Sequence, residues 1–276
     1  MKVILSRKGF DSQSGGIPNL ILPNGDLLVF PIPSEYGDYT YQDISYGEKT
    51  YYEILSEINP RLGEKLKNSK CHIDPDIQDC YCQPMENWKP AFGQCGISQK
   101  HLEKENIGIG DVFLFFAWFR QTEYKNGRLQ FVSKKDTSTY DKHIIYGYME
   151  IGQKLTDSSQ IKNEYKYHPH ADEYYLKKEQ NTLYLPSEHF SMNSMRKGYG
   201  KFNYSSKRQL TKENHSRSEW NLPDCFKDIR ITYHENDSYG WIDGNDYFKS
   251  ASRGQEFVVE ANNGIIDWVK EILIDE

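Results

Sequence analysis

The sequence predicts an α+β fold: a mostly antiparallel sheet or small β-barrel core with peripheral helices. Three features point there. Residues 112–119 form an uninterrupted apolar run of strand-like composition. Short β-rich runs recur between turn residues such as Asn24-Gly25 and Asn126-Gly127. Two segments, near 48–58 and 265–274, carry apolar residues at helical spacing. No repeat, low-complexity tract or linker interrupts the 276 residues, so the chain is read as one domain, 1–276, long enough to bury a core.

In chain order, residues 2–7 read as a strand that delivers Ser6, Arg7 and Lys8 to an irregular loop over 12–18 containing Gly15-Gly16. Residues 20–32 read as a hairpin about Pro23-Asn24-Gly25-Asp26, because Asn and Gly both tolerate the positive φ of a tight turn. Tyr51, Ile54, Leu55 and Ile58 fall at i, i+3, i+4 and i+7, the buried stripe of a helix that ends before Pro60. Ser98 is placed to cap a second helix reaching about residue 106. Gly108 and Gly110 then turn the chain into the strand at 112–120, whose continuous hydrophobicity implies burial on both faces. Further β runs at 128–133 and 143–152 suggest an antiparallel meander or small barrel. Beyond them come a helix near 172–179, a strand at 182–186, and short strands about 202–210 and 229–234. Residues 255–260 read as strand or helix, and 265–274 as an amphipathic terminal helix.

Composition narrows the function classes. With 40 acidic and 34 basic residues the chain carries a net charge of −6, which excludes a strongly basic nucleic-acid coat. Aromatic residues make up 14%, far more than a disordered chain carries, and can supply pocket walls. The longest apolar run is well short of the ~20 residues of a membrane span, and Val3-Ile4-Leu5 is too short for the core of a secretory signal, so a cytoplasmic protein is expected. Four of the five cysteines fall between residues 71 and 95, but Cys80-x-Cys82 is the one close pair. Reduced thiols therefore fit better than structural zinc, which takes two such pairs.

Several constellations could carry chemistry. Ser6-Arg7-Lys8-Gly9-Phe10-Asp11 with Gly15-Gly16 puts two cations, a hydroxyl and glycine amides near one strand end, either a phosphate cradle or a solvated basic turn. In His72-Ile73-Asp74-Pro75-Asp76 the proline holds Asp74 extended, so both carboxylates can face one side. That suits Mg²⁺ with a substrate phosphate, or an acid/base pair, although an ordinary turn is the commoner use of such a sequence. His168-Pro169-His170 repeats the pattern with imidazoles, for acid/base or phosphate work or as structural histidines. Two histidines do not make a zinc site without a third ligand from elsewhere. Arg217, Ser218 and Trp220 could hold a phosphate and a stacked base, or Trp220 could anchor a loop. Gln255 could read a base edge and Glu256 could act as a base, or both could begin a strand. No nucleophile elbow or flanking signature marks a serine or cysteine, so whether the chain is an enzyme stays open on the residues alone.

At these residues, and at Gly110-Asp111 through Phe119 and Gly254 through Val258, the chain resembles the nucleotide modification associated domain family, type three, of bacteria and phages. The resembling stretches span nearly the whole chain. The resemblance implies a nucleotide or a modified DNA base as partner, and brings no catalytic residues with it. Gly110-Asp111, the run to Phe119 and the later stretch from Ile145 to Gly152 are also similar to PUA-like barrels of the EVE and ASCH groups, over about 107–155. That similarity implies an aromatic pocket for a modified base, with Trp118 and Tyr148 as walls. Three readings follow: an enzyme acting on a nucleotide or base, a non-catalytic reader, and a partner-binding phage protein. In the first, Arg7, Lys8 and Arg217 hold phosphate, Asp74 and Asp76 bind metal or move protons, and His168 or His170 is the acid/base.

Overall fold

A computed structural model describes residues 1–77, 88–133, 141–235 and 238–274. Cys80 and Cys82 lie outside the described residues. The fold is α+β, with a curled half-barrel sheet of mostly antiparallel strands and helices at its periphery.

The sheet runs Glu256–Glu260, Lys2–Arg7, Val112–Lys125, Lys142–Leu155, Thr182–Pro186, Phe92–Gln94. Its first and central strands are parallel, Val3 opposite Val112 and Arg7 opposite Phe116. Asp111 sets that register: one carboxylate oxygen accepts from the Lys2 amide (2.7 Å) and the other from the Gly108 amide (2.9 Å), tying the two strand beginnings together. The central strand is apolar at every step because both faces are covered. On one face Val112, Leu114 and Phe116 pack with Trp220, Phe257 and Val269 of the terminal helix. On the other Phe113, Phe115, Ala117 and Phe119 pack with Leu102, Tyr146 and Tyr184.

The expected meander takes a different form. Arg128–Phe131 does return as a hairpin through Asn126 (φ 53°) and Gly127 (φ 75°), but it pairs with the far end of the central strand. Lys142–Leu155 pairs with that strand's earlier half and not with the hairpin arm. The hairpin at Asn24-Gly25 forms as expected, Leu20 opposite Leu28. Tyr51–Ile58 is helical with a full Thr50/Glu53 capping box, and Asn59 then caps a further helix, Pro60–Leu66, with proline in its first turn.

Four other elements depart from expectation for local reasons. The helix expected to start at Ser98 is Gly96–Lys104, and Ser98 Oγ instead donates to Gln255 Oε1 (3.4 Å). The helix near 172–179 is only Glu173–Leu176, capped by Asp172. No strand forms over 202–210: Tyr199–Lys201 ends just before it, and a 3₁₀ turn follows at Ser206–Arg208. There the Arg208 guanidinium donates to the carbonyls of Ile272 (2.8 Å) and Ile274 (3.0 Å), closing the end of helix Asn263–Ile272. Around 229–234 only a bridge, Ile231 to Val259, remains. Residues 255–260 resolve as the strand Glu256–Glu260. No described helix is long and apolar enough to cross a membrane.

Candidate functional site

A cleft of about 1240 Å³ opens where the first strand ends against the middle of the central strand. Clefts beyond the carboxyl ends of parallel strands are usual ligand sites, because the chain there leaves the sheet with backbone groups and side chains unpaired. Segments distant in sequence close it, among them Arg7–Ser14, His72 with Asp74, Gly93–Cys95, Asn214–Ser218 and Ala251–Gln255.

The basic end of the first strand is largely committed. Arg7 donates from Nη1 to the Ser252 carbonyl (3.0 Å) and from Nη2 to that of Ala251 (2.8 Å), with its guanidinium 5.7 and 5.5 Å from the ring centres of Phe116 and Phe257. Burial, then the nearby Arg217 charge, lowers its pKa. Lys8 Nζ pairs with Glu256 Oε1 at 2.7 Å and lies over the Phe92 ring. Asp11 folds its own loop by accepting from the amides of Gln13 and Ser14 (both 2.7 Å). Gly15 completes that loop at φ +88°, where a Cβ would sit 2.3 Å from the Phe10 ring. Gly15 and Gly16 are therefore turn residues outside the cleft lining, and Ser6 is buried in the sheet beneath it.

Arg217 behaves differently. Its guanidinium lies 4.2 Å from the ring centre of Trp118, and among the described residues it has no salt-bridge partner. Trp118 stands opposite His143 across the sheet, and both line the cleft with Ser218 and Gln255. Trp220 Nε1 donates to His143 Nδ1 (3.0 Å), so the neutral ring carries its proton on Nε2. Burial, then the charges of Arg7 and Arg217, holds His143 well below its usual pKa. Trp220 itself is fully buried, as a support for His143 and not as a stacking surface. Tyr148 packs on Phe190 and Phe202 in the core, away from the cleft.

The lining of the same cleft also holds an imidazole–carboxylate group. Strand Lys70–His72 pairs with Ile32–Ser34 and brings His72 and Asp74 to the cleft. Asp74 Oδ1 accepts from the Gly93 amide (2.8 Å) and lies 3.4 Å from His168 Nε2. Oδ2 lies 3.6 Å from His72 Nε2 and 3.8 Å from His170 Nε2. Gly93 makes room for this, since a Cβ there would come within 2.3 Å of the His170 ring. Burial alone would raise the Asp74 carboxyl, but the His168 and His72 imidazoles outweigh it and hold it far below the usual range. Burial pushes His170 down to about 3, against the opposing pull of Asp74.

The expected pairs are split. Asp76 forms a bridge with Ala91 and accepts from Trp88 Nε1 (2.9 Å), so it does not join Asp74 in the cleft. His168 caps the turn Pro169–Ala171 through Nδ1 and sits behind Asp74, while His170 reaches the cleft. Glu256 is buried under the cleft with Lys8 and Gln94. Residues not singled out from sequence are His143, Gly93 and Asn181, while His72 is read in one constellation with Asp74 but given no role. His72 had a signal, since it precedes Asp74 by two in an extended segment and so shares its face. Asn181 had none.

The Ala251 loop depends on a further histidine. His234 Nδ1 donates to the Thr232 carbonyl (2.9 Å) and Nε2 accepts from the Ala251 amide (2.8 Å), an arrangement only the neutral ring can make. Burial lowers its pKa from 6.5 to about 4. The folded state then binds fewer protons than the unfolded one, so this stabilisation is complete above pH ~6.5 and disappears as pH falls through ~4. Urea unfolding should show wild type losing about 3 kcal/mol from this group between pH ~7 and ~4. His143 acts in the same direction, and His234→Gln should flatten the profile. An unchanged profile in that variant would remove His234 as the cause.

No curated protein and no solved structure gave a match. The model of nucleotide modification associated domain 3 matches residues 2–260, so it spans every segment that lines the cleft, and the chain belongs to that family.

Proposed function

We propose that the cleft binds one nucleotide, or one base presented by DNA, with its phosphate at Arg217, its ring against Trp118 and its reacting edge toward Asp74 and His170. The observation that carries this reading is the Arg217–Trp118 pair, a cation without a carboxylate partner among the described residues held over an indole in a cleft that also contains the Asp74 group. Arg supplies forked charge-assisted donors to phosphate, and an indole supplies a face for a base. Of the other cations in the lining, Arg7 is held by two carbonyls and Lys8 by Glu256, which leaves Arg253 as well as Arg217 for a phosphate. With a net charge of −6 as well, a single nucleotide or flipped base fits better than a length of duplex. The family's association with nucleotide modification supports the same substrate class.

Thermal unfolding across normal and 5-modified pyrimidine nucleotides and short DNA tests it. A ligand at ~100 times its Kd adds about 2.7 kcal/mol, enough for a visible shift. Arg217→Ala should weaken the phosphate-bearing ligand by about 10- to 100-fold while the fold persists. Unchanged affinity in that variant, or no shift with any ligand, rejects the assignment. A shift with modified DNA and no product by mass spectrometry would make the protein a reader and not an enzyme.

A further inference from the structure

We propose that His72 Nε2, Asp74 Oδ2 and His170 Nε2 form a three-ligand site for one divalent transition-metal ion, with the rest of its coordination shell open to the cleft. This deepens the nucleotide reading and rests on it only for what the ion acts upon.

The geometry is that of ligands around a common centre. The three atoms lie within 4.8 Å of one another, with both nitrogens 3.6 and 3.8 Å from the carboxylate oxygen. Those separations are too long for hydrogen bonds. They are close to the ~3.3–3.5 Å edge of a tetrahedron whose ligands stand about 2.0–2.2 Å from the metal.

The surrounding hydrogen bonds set the correct lone pair on His170. His170 Nδ1 donates to Asn181 Oδ1 (2.6 Å), and Asn181 Nδ2 donates to the His170 carbonyl (3.0 Å), which fixes the amide's orientation. The neutral ring therefore presents a lone pair at Nε2, the arrangement in which metal-binding histidines are held from behind. His168 does not compete: its Nδ1 accepts from the His170 amide, so its proton is on Nε2, facing Asp74 Oδ1. With Oδ1 accepting from the Gly93 amide and facing His168 Nε2 at 3.4 Å, Oδ2 is the oxygen left for a ligand.

Charge points the same way. Among the described residues no Lys or Arg lies within salt-bridge distance of Asp74, so its buried negative charge has only imidazoles beside it, and a cation would complete it. Two imidazoles and one carboxylate select zinc- or iron-like ions over Mg²⁺ or Ca²⁺, which prefer oxygen. Three protein ligands leave at least one position for water or an oxygen of the bound nucleotide, the pattern of a catalytic and not a structural site.

The test uses the full chain, stripped by chelation and titrated with Co²⁺ without nucleotide. A saturable visible absorption at about one Co²⁺ per chain, displaced by Zn²⁺ and lost in His72→Ala and His170→Ala, is expected. Asn181→Leu should weaken binding about 10- to 100-fold through His170 alone. No such absorption, or absorption unaltered by both histidine variants, overturns the site. Should those variants fail to fold, ¹⁵N spectra of the wild-type histidine rings decide the matter. Zn²⁺ should move the Nε2 signals of His72 and His170 and not that of His168, and any other pattern rejects the ligand set. The titration contains no nucleotide, so loss of one reading leaves the other standing.

Discussion

Glu256→Ala is expected to destabilise the protein by about 3–5 kcal/mol, because it leaves a buried ammonium without its counter-charge. Lys8 and Glu256 side chains are 9% and 1% exposed, and their 2.7 Å contact lies beneath the cleft. Gln94 Nε2 donates to the same oxygen (2.8 Å), while Oε2 has no hydrogen-bond partner among the described residues. Without the carboxylate, Lys8 keeps only the Phe92 face, 4.4 Å away, and a cation–π contact offsets about 2 kcal/mol at most. Lys8→Met should cost a similar amount by stranding the carboxylate. The double variant Lys8→Met with Glu256→Gln should recover much of the loss, since neither charge then remains buried. Urea unfolding of the four proteins gives the cycle directly. Single variants within ~1 kcal/mol of wild type would show a pair already wet enough to be weak.

The pair also bears on how much of the site could be read in the sequence. Lys8 and Glu256 were each legible as functional groups, one for phosphate and one as a base, yet they neutralise each other across 248 residues. Local signals did translate: Asn24-Gly25 made its hairpin, the Tyr51 stripe its helix, and the apolar run its doubly buried strand. Such elements depend on residues within a few positions of one another. The cleft depends instead on the parallel register of Lys2–Arg7 with the central strand, which no periodicity encodes. That register sets Arg7 beside Phe116 and near Trp118, while Arg217 arrives on a segment tied to the sheet through Thr211 and His143. His168-Pro169-His170 shows the same limit at short range, because an extended backbone would face both rings one way, whereas the 3₁₀ turn separates them. The stretches that carry the family resemblance are scattered along the chain, and one residue or more of nearly all of them lines this single cleft.

Trp220→Ala is expected to cost about 3–5 kcal/mol, the range for deleting a large aromatic side chain from a packed interior. Trp220 is fully buried, edge-on to Phe116 and stacked with Phe248. Trp220→Phe separates packing from chemistry. Most of the aromatic volume stays, but the Nε1–H donor to His143 is gone, leaving a buried lone pair at Nδ1 at a cost of about 1–3 kcal/mol. His143 no longer has its proton fixed on Nε2, the nitrogen that Trp220 leaves free at the cleft. The expected result is therefore a ring tautomer that changes or becomes mixed in ¹⁵N spectra, with weaker binding of whatever ligand wild type accepts. Adding His143→Phe to Trp220→Phe removes both partners, so the double variant should weaken that ligand to a similar degree while restoring stability lost to the unpaired atom. If Trp220→Phe leaves both the tautomer and the ligand affinity unchanged, Trp220 contributes packing alone, and His143 takes its orientation from the sheet.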